Sequence, residues 1–69
     1  MGNDDDFPVG SLISSESPDV ERRMGLVLAC VTSHWEFRRI LWIDGRVTLE
    51  GVIYLGTFYE VVSSHPSLN

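Results

Sequence analysis

The sequence predicts a mainly β protein, a small bent β-barrel of about 4–5 antiparallel strands preceded by a short N-terminal helix. Three observations carry that prediction. Residues 35–62 contain three apolar, aromatic-rich runs separated by Asp44-Gly45 and Gly56-Thr57, the punctuation of a β-meander. Ser17-Pro18-Asp19-Val20-Glu21 has the composition of a helix start. At 69 residues there is room for one domain, and 23 of the 30 hydrophobic residues fall within 24–62, which places the core there. A domain of this size buries only about 60% of its unfolded surface, so a partner or a second copy is a natural way to complete it.

Taken in order, residues 1–16 combine three consecutive aspartates with Gly, Ser and Pro, and read as a flexible acidic tail. In Ser17–Glu21 the serine suits an N-cap, Pro18 the first helical position and the acids the positive end of the dipole. Arg22 and Arg23 suit the opposite end, and Gly25 can close the helix, giving a helix over 18–24. A competing reading extends it to about Ser33, because Val20, Met24, Val27 and Val31 share a helical face. The β-branched Val27, Val31 and Thr32 favour a strand instead, Leu26–Thr32.

Ser33-His34 turns the chain into a second strand, Trp35–Ile43. Simple alternation would drive Arg39 inward there, so a bulge at Arg38-Arg39 is preferred, which gathers Trp35, Phe37, Ile40 and Trp42 on one face. Asp44-Gly45 is a hairpin signal, the glycine supplying positive φ. Arg46–Leu55 then alternates Val47, Leu49, Ile53 and Leu55 inward, with Gly51 allowing a bend. Gly56-Thr57 turns again into Phe58–Val62. The domain is thus 17–62, and 63–69 is a loose C-terminal end.

Catalytic signatures are not apparent. Cys30 and His34 would share a face only on a helix, and no third orienting group or oxyanion element accompanies them. Adding His65 gives a poor zinc set, so no metal is assigned. Asp44 is accounted for by its turn, and Glu36, Glu50 and Glu60 fall at solvent-facing strand positions. The glycines lack the spacing and the lysine of a phosphate loop. No enzyme activity and no cofactor are expected.

Net charge is −5, with six acids and two arginines in residues 1–23. That balance argues against a generic nucleic-acid or membrane-surface binder and favours a basic protein surface. A single cysteine cannot form an internal disulfide, and no membrane span or signal pattern is visible, so a cytoplasmic location is expected. Met1-Gly2 lacks the Ser or Thr of a myristoylation site, having Asp6 instead.

The capped helix, Gly25, a strand, and then Ile40-Leu41-Trp42-Ile43-Asp44-Gly45-Arg46-Val47 leading through Gly51-Val52-Ile53 resemble the first motif of Sm-like proteins. That resemblance implies an N-terminal helix, a strongly bent five-stranded open barrel and assembly through edge strands. The Asp and Asn that the family's RNA-binding loop would place after Gly51 are missing from Tyr54–Glu60, so RNA binding is not implied. Leu26–Cys30 ahead of Asp44-Gly45, with an acidic N-terminal segment, is similar to the Rof-type acidic inhibitors of Rho within that family.

The function expected is therefore a non-enzymatic protein-binding module, an inhibitor or adaptor docking on a basic, nucleic-acid-binding surface of a larger protein. Asp4, Asp5, Asp6, Asp19 and Glu21 would steer the approach, and Arg38, Arg39, Trp42, Tyr54 and Tyr59 would make contact. The alternative is a structural homo-oligomer formed by edge-strand pairing, followed by an Sm-like RNA binder.

Overall fold

The structure is a computed structural model that describes residues 6–63. Five antiparallel strands form a single sheet: β1 (Leu12–Ser14), β2 (Met24–Thr32), β3 (Glu36–Trp42), β4 (Val47–Gly51) and β5 (Glu60–Ser63). One helix, α1 (Val52–Phe58), connects β4 to β5. The spatial order is β4-β3-β2-β1-β5, so β2 to β4 form a meander, but the one expected over 35–62 stops at β4, because β5 pairs with β1 and not with β4. The mainly β reading holds. The sheet is not closed into a barrel, because β4 and β5 remain its two edges and α1 stands between them in the chain.

The helix lies elsewhere than expected. Over 18–24 the chain makes only a turn and a bend before entering β2 at Met24. The capping chemistry is present but serves turns: the Asp19 amide donates to the Ser17 hydroxyl, 3.1 Å, and the Ser17 amide to the Ser15 hydroxyl, 3.1 Å. A seven-residue helix is costly to nucleate and needs an apolar face to hold it, yet Val20 is the segment's only buried residue. Gly25 consequently lies within β2 instead of closing a helix.

Residues 52–58, read as the end of a strand and a turn, are helical. Val52, Leu55 and Phe58 recur every three residues and pack on the core, with Leu55 fully buried. Tertiary packing therefore outweighs the β-branched composition. Gly56-Thr57 lies inside this helix, where the Thr57 hydroxyl donates to the Ile53 carbonyl, 2.9 Å.

The described part of the expected tail also joins the sheet. β1 pairs with β2 through Leu12↔Leu26 and Ile13↔Gly25, and with β5 on its other side. Phe7 contributes to the core, held at a positive φ of 57°. Residues 64–69, most of the expected loose end, lie outside the described residues.

One face of the sheet carries the core: Ile13, Val27, Ile40 and Trp42, joined by Phe7, Val20, Leu55 and Tyr59. The expected bulge at Arg38-Arg39 is absent from β3, whose residues alternate without interruption, Arg38, Ile40 and Trp42 inward. The irregularity is in β2, where Leu28 is extra between Val27↔Ile40 and Ala29↔Arg39. Beyond β3 the expected phase also reverses: Val47 and Leu49 are exposed, whereas Thr48 and Glu50 are half-buried. The Asp44-Gly45 hairpin forms as predicted, with Gly45 at φ 91° and the Arg46 amide donating to Asp44 Oδ1, 3.0 Å.

Candidate functional site: the outer sheet face and its groove

Turning Arg38, Ile40 and Trp42 inward leaves Phe37, Arg39 and Leu41 on the opposite face of β3. Because register carries across strands, Leu41 lies between Leu26 of β2 and Val47 of β4, and Leu26 lies beside Leu12 of β1. Leu12, Leu41 and Val47 are exposed and Leu26 is half-buried, so an apolar row crosses four strands with no layer over it among the described residues. Leu28 and Leu49 extend the exposed surface. Among the described strand residues its one cation is Arg39, opposite Ala29 and Leu49.

At the end where β3 and β4 meet α1, an open groove of about 760 Å³ is lined by Asp6, Trp35, Glu36, Phe37, Gly51, Val52 and Ile53. Trp35 and Ile53 are the most exposed of its large apolar side chains, at 66% and 75%. Phe37 lies opposite Gly51, whose missing side chain leaves the floor open.

The residues expected to make contact fall into different environments. Arg38 is buried, donating through Nε to the Phe7 carbonyl, 2.9 Å, and through its Nη atoms to the carbonyls of Asp6, 2.8 Å, and Phe37, 3.0 Å. It also lies 3.4 Å from Glu36 Oε1. Its guanidinium is a clamp that fastens the N-terminal segment to β3.

Trp42 and Tyr59 are core residues as well, their rings 5.3 Å apart. The Trp42 indole donates to the Thr48 hydroxyl, 2.6 Å, which donates onward to Glu50 Oε2, 2.6 Å. The Tyr59 hydroxyl donates to the Arg22 carbonyl, 2.6 Å, and burial, followed by the neighbouring Tyr54 hydroxyl, pushes it up to about 12. Tyr54 is exposed, yet its ring packs on Phe58 at 5.2 Å and on Tyr59 at 6.0 Å. Of the expected contact residues, Arg39 and Tyr54 remain accessible.

Among the expected steering acids, Asp6, Asp19 and Glu21 are exposed, whereas Asp4 and Asp5 lie outside the described residues. Asp44, not counted among them, is held below the usual carboxylate range, first by the Arg46 amide and then by Arg22, whose Nε is 3.3 Å away. Cys30 and His34 are both exposed at one end of the β2–β3 hairpin. Among the described residues, no group of three or more His, Cys, Asp and Glu could hold a metal ion, and no helix is long and apolar enough to cross a membrane.

The leucines and valines of the outer face, and Ile53 in the groove, were not singled out as contacts by the sequence. The signal was available in the unbroken apolar stretch Met24–Val31, which reads as a strand buried on both faces unless something else covers one of them. Compared with family models, curated proteins and solved structures, the chain matches none.

Proposed function

We propose that this chain is a non-enzymatic protein-binding module, an inhibitor or adaptor that docks on a basic surface of a larger protein. The observation that carries this reading is the apolar row Leu12–Leu26–Leu41–Val47, which the described residues leave uncovered. Contiguous apolar surface on a small domain is costly to leave in water and is characteristic of an interaction face. The net charge of −5 selects the partner's sign. Long-range attraction accelerates encounter with a basic surface, and the apolar row provides contact once the two meet.

Capture from cell lysate by the wild-type chain and by Leu41→Asp, at low and high salt, tests the reading. The protein retained should be basic and should be released both by salt and by the substitution. If wild type and Leu41→Asp retain the same proteins, the outer face is not the docking surface. A second reading, a homo-oligomer built by edge pairing, is favoured by β4 and β5, the two edges that no described strand pairs. Light scattering that finds only monomer at micromolar concentration would remove it.

A further inference from the structure

We propose that the groove between β3, β4 and α1 receives an arginine or lysine side chain of a protein partner, with an aliphatic neighbour of that residue lying on Val52 and Ile53. The proposal rests on the protein-binding reading above and adds a recognition site for one kind of side chain. Its first support is composition. Asp6 and Glu36 line the groove, and none of its lining residues among those described is a cation. Arg38, just behind, directs its donors into the carbonyls of Asp6, Phe7 and Phe37. It offsets only part of the carboxylate charge, and Glu36 stays 55% exposed despite its contact with Arg38.

The second support is the aromatic wall. Trp35 and Phe37 line the groove, and the face of an aromatic ring attracts a cation through its quadrupole. A carboxylate beside an exposed indole favours a ligand that is positive at its tip and apolar along its stem, which describes both lysine and arginine. The N-terminal turn of α1 presents the opposing sign. A helix of seven residues carries less than the roughly half charge of a long one, and two full carboxylates outweigh it.

The third support is room. The groove, at about 760 Å³, is within the range of roughly 300–1,000 Å³ typical of ligand sites. Its floor stays open because position 51 is glycine. The backbone there, φ −71° and ψ 143°, is one that any residue can adopt, and a Cβ would meet the Phe37 ring only at 3.9 Å. A larger side chain at 51 would therefore fill the groove without straining the strand.

The test titrates the isotope-labelled full chain with acetyl-Leu-Arg-Leu-amide and with its citrulline twin, which keeps the shape and removes the charge. Amide shifts should be confined to Trp35–Phe37 and Gly51–Ile53, with movement of the Trp35 indole N–H. The citrulline peptide should bind about tenfold or more weakly. Gly51→Val should abolish the shifts, and Glu36→Gln should weaken binding while leaving the rest of the spectrum in place. Equal binding of the two peptides, or no shifts at millimolar arginine peptide, overturns the proposal. Shifts at Leu26, Leu41 and Val47 instead would overturn the groove while leaving the outer-face reading intact.

Discussion

At position 25 the side chain is dictated by its neighbours across the strand. A Cβ there would lie 2.6 Å from Ile40 Cγ2 and 2.8 Å from Trp42 Cε3, both buried and unable to retreat. Gly25→Ala should destabilise by about 1–3 kcal/mol, read as a lower urea midpoint with an unchanged slope. From sequence this glycine looked like a helix stop, because the ring it lies against comes from a residue far along the chain. Asp44-Gly45, in contrast, was legible because everything a hairpin turn requires is local. Tyr59 shows how burial is read in solution. Its hydroxyl is raised from 10.0 to about 12, so the folded state holds the proton more tightly than the unfolded chain. The stability this provides is fully present below pH 10.0 and is lost as pH rises toward about 12. Alkaline titration followed by phenolate absorbance should show a transition near the upper value that Tyr59→Phe removes. A single transition at the ordinary tyrosine value in the wild type would contradict the buried hydroxyl.

Among the elements, β2 to β4 were readable as strands because β-branched and aromatic runs and the Asp44-Gly45 dipeptide are local signals, whereas which face of β3 and β4 turns inward was not. The two ends of the chain were not. Ser17-Pro18-Asp19 provides helix-start chemistry, but local hydrogen bonds to serine hydroxyls satisfy the same amides in a turn, and Val20 alone is too small an apolar face. Residues 52–58 became a helix because Leu55 and Phe58 reach the core at helical spacing, which outweighs their β-forming character. The phase of β3 turned on Arg38, which the sequence placed toward solvent through a bulge. It is buried because an arginine that satisfies several carbonyls can be accommodated there. Arg38→Met keeps much of the stem and removes the donors. It should destabilise by about 1–3 kcal/mol, with faster amide exchange at Gly10, which follows Phe7 in the clamped segment and whose N–H donates to the Val27 carbonyl. Arg38→Lys should recover only part of this, since an ammonium cannot reproduce the planar fork. Exchange at Gly10 that is indifferent to both substitutions would show that the clamp does not hold the segment.

On the scale of the whole molecule, the described part of the acidic segment has a structural role as well as a charge. Among the described residues β1 is the only strand that joins β5 to the rest of the sheet, and Ile13 and Phe7 are core residues. Truncating such side chains costs roughly 2–5 kcal/mol each. A stability of roughly 0.05–0.15 kcal/mol per residue gives a 69-residue chain only about 3–10 kcal/mol in total. Deletion of residues 1–16 should therefore abolish cooperative unfolding, so loss of a partner by that variant would report unfolding and not the loss of charge. Deletion of residues 1–5 separates the two effects. It removes Asp4 and Asp5 and leaves the described sheet, Asp6 and the Arg38 clamp in place. Its urea midpoint should match that of the full chain. If these aspartates steer association, the partner's on-rate should fall at low salt and converge with the full-length value as salt rises. An on-rate that is identical at every ionic strength would confine recognition to the described surface, leaving the outer face and its groove to account for it alone.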